Sequence, residues 1–169
     1  HKRIARLKSL ALTYKRLEVT HNRLLVLSNL ATTASSSAEF YAGIYSSIKA
    51  LLPTDNFFVA LLNSKSNRLE IPFFLDEKET HPIEGFHNKH ISDKLLNGLT
   101  GYVLKTGKTL LCDEEKFTQL IFNKQITSLG AQCHHWLGVP IKENNDVVGA
   151  LVIQSHSKDI NFTKREIEL

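Results

Sequence analysis

The N-terminal stretch carries a long-period pattern that no Pro or Gly interrupts. From Lys2 to Thr33, mostly apolar residues recur at alternating three- and four-residue steps: Leu7, Leu10, Tyr14, Leu17, His21, Leu24, Ser28 and Ala31. This spacing predicts a helix with a heptad seam, the stripe that two helices bury against each other. A helix of this length runs on the order of 45 Å, more than a compact domain of this size covers, so a second copy of the same helix is the expected partner. His21 and Ser28 place polar groups in the seam and read as register-setting positions.

Beyond this stretch the periods shorten. Ser36 with Glu39 forms a capping-box pattern, and Phe40, Ile44, Ile48, Leu51 and Leu52 give one apolar face before Pro53, which predicts a second helix. Asn56 to Asn63 and Arg68 to Leu75 are strand-like runs rich in apolar and aromatic residues, joined by the polar Ser64-Lys65-Ser66-Asn67. They read as a hairpin, with Pro72 marking the second run as an edge or as broken there. Asp76 to Lys89 is polar, contains Pro82 and Gly85 and keeps no period, so it reads as a loop crossing over the sheet. Leu99 to Thr106, followed by Gly107, predicts a short helix with a glycine C-cap that feeds a strand at Thr109 to Cys112. A short helix is expected at Glu115 to Phe122, then a loose segment to Gln132. His135 to Lys142 and Val147 to Ser155 flank Glu143-Asn144-Asn145-Asp146, whose asparagines tolerate the positive φ of a tight turn. Phe162 and Thr163 open a helix that is cut off at Leu169.

In the last strand both parities are apolar: Val147, Leu151 and Ile153 share one with Gly149, and Val148, Ala150 and Val152 share the other. A sheet with one wet face would alternate apolar and polar, so this sheet is expected to be covered on both sides. Gly149 has no side chain and would let a neighbour approach that strand closely.

Composition bounds the class. The 169 residues, 42% of them hydrophobic, suffice for one domain and an appendage. No apolar run reaches the roughly 18 residues of a membrane span, and no signal-peptide pattern opens the chain. A chain that begins at His1 and contains no Met is expected to be a piece of a longer protein. Cys112 and Cys133 are too few for a disulfide framework, which favours a reducing, cytoplasmic compartment. The net charge of +4 sits at one end. Residues 1–31 hold Lys2, Arg3, Arg6, Lys8, Lys15, Arg16 and Arg23 against Glu18 alone, so the remainder is mildly acidic. The basic helix has no interleaved aromatics beyond Tyr14 and no reading motif beside it, so neither nucleic-acid binding nor membrane contact is expected of this fragment.

Four segments, in order, resemble the signature of GAF domains: Gly98-Leu99-Thr100-Gly101-Tyr102-Val103-Leu104-Lys105-Thr106-Gly107-Lys108, Trp136-Leu137-Gly138-Val139-Pro140-Ile141, Val148-Gly149-Ala150-Leu151-Val152-Ile153-Gln154-Ser155, and Phe162-Thr163 with Glu166. The resemblance runs from about Leu24 to Leu169 and is nearest to sensor GAF domains upstream of histidine kinase or cyclic-di-GMP turnover domains in bacteria. It implies an α+β fold: a central antiparallel β-sheet, terminal helices on one face, and loops with short helices covering a ligand pocket on the other. The division expected is a dimerisation helix at residues 1–33 and a GAF domain at 34–169, truncated in its last helix.

Membership in such a family leaves the ligand open. Cyclic-nucleotide-binding GAF domains carry an Asn-Lys pair, then Phe, then Asp-Glu. The matching positions here are Gln154 and Ser155, Phe162, and Glu166 with Ile167, and only the aromatic is kept. Cys133-His134 is similar to the bilin-attaching pair of phytochrome-like GAF domains, but Trp136 and Leu137 follow too closely for the helix on which that pair sits. His87, His90, Cys133, His134 and His135 offer metal-ligand chemistry. Adjacent strand residues such as His134 and His135 point to opposite faces, so no metal site is assigned. Free methionine sulfoxide reductases share the family and use cysteine nucleophiles, which makes Cys112 and Cys133 the candidates for that alternative.

The expected function is therefore a sensor and dimerisation module rather than an enzyme. Phe58, Phe74, Tyr102, Cys112, Cys133 and Trp136 are the candidate lining of a pocket for an unidentified small molecule, with no cofactor assigned. Leu7, Leu10, Tyr14, Leu17, His21 and Leu24 are the candidate homodimer contacts, relaying the signal to an output domain of the same chain. The alternative from another class is a purely structural oligomerisation domain whose pocket is filled by its own large side chains, Phe73, Phe74 and Trp136.

Overall fold

The computed structural model describes residues 36–49, 54–76, 83–86, 89–127 and 134–156. The heptad stretch with its candidate dimer contacts, the expected boundary at 33/34, Cys133 and the helix expected from Phe162 lie outside the described residues.

The chain separates into two units, residues 1–47 with Leu169 and residues 48–168, each taken by itself. Helix α1, Ser37–Lys49, opens as the capping pattern predicts, because the Glu39 N–H donates to Ser36 Oγ at 3.2 Å.

The larger unit is built on six antiparallel strands in the spatial order β3-β2-β1-β6-β5-β4. In chain order these are β1 (Asn56–Asn63), β2 (Arg68–Asp76), β3 (Ile83–Phe86), β4 (Leu110–Cys112), β5 (His135–Glu143) and β6 (Asp146–Ser155). Helices α2 (Lys89–Leu96), α3 (Leu99–Thr106) and α4 (Glu114–Phe122) complete it. This is the α+β architecture expected, with two corrections in one segment. Residues Ile83–Phe86 form an edge strand inside what reads as loop, pairing Ile71 with Phe86 and Phe74 with Ile83. The chain then enters α2 from Lys89. Neither element has a period long enough to stand out alone; β3 exists because β2 offers it a ladder. Pro72 is consequently not on an edge. It lies at a bulge, where Ile71 and Pro72 together oppose Ala60, the place in a ladder that tolerates a residue with no N–H.

The hairpins follow local rules. Asn144 (φ 49°) and Asn145 (φ 76°) form a two-residue turn between β5 and β6, with both central residues left-handed as the right-handed strand twist requires. Between β1 and β2 the Asn63 side-chain oxygen accepts from the Lys65 and Ser66 N–H groups at 3.0 and 3.1 Å, and Asn67 takes φ 51°. Gly107 ends α3 at φ 61°, donating its N–H to the Val103 carbonyl at 2.8 Å. Asp113 caps α4 by accepting from the Lys116 N–H at 2.8 Å, and Glu114 and Glu115 stand in its first turn, where the helix dipole favours them.

Both faces of the sheet are buried, as the apolar parities predict. On one face Phe57, Val59, Phe73, Leu137 and Ile153 are buried, and the Phe57 and Phe73 rings meet edge to face at 5.8 Å. The other face carries the main cluster, Phe58, Ala60, Leu69, Ile71, Leu110, Cys112, Trp136, Ala150 and Val152. Val103 of α3 and Leu120 of α4 pack onto that cluster. Ser92 of α2 fastens the cover to the sheet: its buried hydroxyl accepts from the Leu69 N–H at 2.9 Å. What approaches Gly149 is the neighbouring strand itself. A Cβ there would lie 2.4 Å from the Ala60 carbonyl oxygen.

Candidate functional site

The face under α2, α3 and α4 is assembled from strand register. Phe58 pairs with Phe74 on one side and Val152 on the other, and Val152 pairs in turn with Gly138 and Gly138 with Leu110. Directly paired residues share a face, so these five form one row. The Phe58 and Phe74 rings lie 6.2 Å apart. Gly138 is required by its neighbour: a Cβ there would stand 2.2 Å from Trp136 Cη2 and 3.0 Å from Val103 Cγ2. The indole thus lies across the glycine, beneath α3.

One step toward the sheet end runs a second row: Asp76, Asn56, Gln154, Trp136 and Cys112, each paired in register with the next. Its character changes along its length, from carboxylate through two amides to indole and thiol. Trp136 is only 3% exposed and Cys112 2%, while Asp76 and Gln154 are half-buried. The Asn56 amide can be placed two ways. One gives its nitrogen to Gln154 Oε1 at 3.3 Å, with His156 Nε2 at 3.4 Å. Turned over, the nitrogen donates to the Asp55 carbonyl at 2.9 Å and to Asp76 Oδ1 at 3.3 Å. The second is preferred, because it gives the Asp76 carboxylate a donor and satisfies both ends of a side chain that is only 8% exposed.

The strands holding this row are pinned just behind it. Asp55 Oδ2 accepts from the Ser155 hydroxyl at 3.0 Å and from the His156 N–H, and the Asp55 N–H donates to the Gln154 carbonyl at 3.0 Å. Two residues before Asn56, the Thr54 hydroxyl is buried with no hydrogen-bond partner among the described residues.

Of the six residues put forward as pocket lining, Phe58, Cys112 and Trp136 belong to the cluster itself, and Phe74 and Tyr102 pack against it partly buried. The structure thus brings five together from β1, β2, α3, β4 and β5; Cys133 lies outside the described residues. Asn56 and Asp76 were missed by sequence reasoning, and Gln154 entered it only as a position that departs from the cyclic-nucleotide pattern. Their signal was present: each is a polar residue two positions from an apolar one on the same face, Phe58, Phe74 and Val152 respectively.

The GAF domain family profile matches residues 56–169, more than half of the chain. The chain belongs to the GAF domain family. Solved structures agree on the fold. The GAF domain of an Acinetobacter phosphoenolpyruvate-protein phosphotransferase is similar at TM-score 0.56 and 16% identity, over 86% of this chain and 84% of that one. The GAF domain of a two-component sensor histidine kinase from Bacillus halodurans is similar at TM-score 0.54 and 17% identity, over 80% and 86%. The free methionine-R-sulfoxide reductase from Neisseria meningitidis, solved with its substrate, is similar at TM-score 0.55 and 14% identity, over 83% and 76%. At these identities the likeness carries the fold alone. No curated protein matches the sequence significantly.

The remaining candidate chemistry of this GAF domain is dispersed. His134 Nδ1 faces Glu114 Oε1 at 2.7 Å, tying the start of β5 to the first turn of α4. Among the described residues no three His, Cys, Asp or Glu side chains come together to hold a metal ion, and His87 and Cys133 lie outside them. The Cys112 thiol is buried and faces the Asp113 carbonyl at 3.6 Å. Among the described residues no helix is long and apolar enough to cross a membrane.

Proposed function

We propose that this GAF domain is a cytoplasmic regulatory sensor that binds a small molecule on the sheet face carrying Phe58, Phe74, Tyr102, Cys112 and Trp136. It relays occupancy through an N-terminal helix dimer to an output domain of the same chain. The observation that carries this reading is the row from Asp76 to Cys112. Polar side chains at one end of an otherwise apolar face, held on rigid paired strands, supply the mix of apolar contact and few orienting hydrogen bonds that a small-molecule site needs. No catalytic role is assigned. A thiol 2% exposed lacks the solvent access of a reactive cysteine, which weighs against Cys112 as a nucleophile.

Native mass spectrometry of the purified protein with thermal-shift screening of metabolites tests the sensor role. A retained or stabilising ligand is expected, and none at all would leave only assembly. For the dimer, deletion of residues 1–33 or Leu17→Asp is expected to reduce the mass measured by light scattering to that of a monomer. A truncated form that stays dimeric would move the interface to the globular unit.

A second reading is favoured by a specific packing feature. Trp136 lies over Gly138 and is almost inaccessible, so the protein's own side chains fill much of this face. In that case the module only oligomerises, and acrylamide would leave Trp136 fluorescence unquenched under every ligand condition.

A further inference from the structure

The apolar floor under the covering helices is interrupted by one of the protein's own rings. Phe74, Phe58, Val152, Gly138 and Leu110 follow one another across five strands, a row that would span about 19 Å at the usual strand spacing. Gly138 brings only a hydrogen to that row, and Trp136 takes up the space. Its Cη2 and Cζ3 atoms lie 2.2 and 2.5 Å from the point where a Cβ on Gly138 would stand, and Val103 Cγ2 of α3 closes on the same point at 3.0 Å. The indole therefore stands as a wall across the row, between Val152 and Leu110. Burial of the floor changes at this wall. Beyond it Leu110 and Cys112 are buried. Before it Phe74 and Leu62 stay partly exposed, as do Leu99 and Tyr102 of the cover, while packing on the same cluster. Side chains that keep some exposure are those a guest can reach without unpacking the core. The open part of the row runs from Phe74 through Phe58 to Val152, two strand spacings or about 10 Å, and has no ionisable side chain in it.

We propose that Trp136 is the specificity-determining residue of this site. It limits the guest to an uncharged molecule of about one aromatic ring, resting on Phe58 and Phe74 beneath Tyr102, and shuts out extended ring systems such as tetrapyrroles. This deepens the sensor reading and rests on it. An ion placed on that floor would give up its hydration for apolar contact alone. A longer planar molecule would have to displace the indole from the bare backbone of Gly138 and from Val103, contacts that a close-packed interior does not yield without cost. With alanine at position 136 the floor would run on to Leu110.

Phenol and 4-phenylphenol, one ring and two in line, test the limit by isothermal titration calorimetry on the full chain. Wild type is expected to bind phenol, with 4-phenylphenol weaker by about tenfold or more. Trp136→Ala should reverse that order. Trp136→Phe, which keeps a ring and disturbs the packing less, should narrow the gap, and it decides alone if the alanine variant does not fold. Melting curves of both variants control for folding. Wild type binding 4-phenylphenol as tightly as phenol, or a preference that neither variant changes, would overturn the assignment. So would wild type that binds neither probe, because no guest of one ring then reaches the floor. In that last case a metabolite of other chemistry retained in native mass spectrometry keeps the sensor reading, and a protein that retains nothing loses both.

Discussion

The two ends of the sheet are built by different means. At the end holding Asn63, Arg68, Asn144 and Asn145, the chain reverses in short turns, and what fixes it is mainly backbone conformation: three asparagines at positive φ and a glycine pressed against a carbonyl, with the Asn63 side chain accepting from the Lys65 and Ser66 N–H groups. At the opposite end, where Asp76, Asn56, Gln154, Trp136 and Cys112 stand in one row, side chains hold the structure. Asp55 accepts from Ser155 and His156, and Asn56 bridges Asp55 and Asp76. An end closed by backbone geometry is stable and has little to offer a ligand. An end held by side chains keeps polar groups whose partners can be exchanged, and such groups are what recognition uses.

Substitutions at four positions sharpen or break that contrast. The largest effect is expected from Gly149→Val at the backbone-built end. Its Cβ would sit 2.4 Å from a main-chain oxygen that cannot swing away, at a cost of about 3 kcal/mol in denaturant unfolding. Next comes Asp55→Ala, which removes the acceptor shared by the Ser155 hydroxyl and the His156 N–H. A loss of about 2 kcal/mol is expected in the same measurement, and no loss would mean that the side-chain end is held by something other than this clasp. Asn145→Ala places an ordinary residue at φ 76°, for about 1 kcal/mol. Asn145→Gly should match or exceed wild type, and if it destabilises equally the turn argument fails. The smallest change in stability is expected for Asp76→Asn, within about 0.5 kcal/mol, because the amide keeps an oxygen for Asn56. A large drop there would mark Asp76 as part of the scaffold.

What sequence reading recovered follows the same divide. The strand Asn56–Asn63, the helix Leu99–Thr106 with its Gly107 cap, and the Asn144-Asn145 turn were legible because each is decided by residues within a few positions of one another. Strand Ile83–Phe86 was read as loop because its four residues become a strand only by pairing with β2. Helix Lys89–Leu96 was missed for want of a start signal, and the Ser92 hydrogen bond to Leu69 that anchors it spans residues far apart in the chain. In the candidate site, alternation sufficed to put Phe58 and Trp136 forward, since apolar residues advertise a buried face. The neighbours Asn56 and Asp76 were passed over because polar residues near strand ends usually mean solvent, and Gln154 was weighed only against the Asn-Lys pair of cyclic-nucleotide-binding GAF domains. Only the register, set between β1, β2 and β6, reveals that they stand side by side.

The extra residue in β2 has a further consequence for the chemistry of this sheet. Two phenylalanines sit next to each other after Pro72, and a ladder in perfect step would send Phe73 toward Phe58 and Phe74 away from it. Inserting one position inverts that assignment for the remainder of the strand, so Phe74 and Asp76 arrive together beside Asn56 while Phe73 goes to the opposite side with Phe57. Counting by twos from Leu69, a frame one residue shorter would deliver Leu75 in place of the carboxylate. Whether this surface ends in grease or in charge is thus decided by a miscount of one in a strand separated by two others from the one that carries the tryptophan.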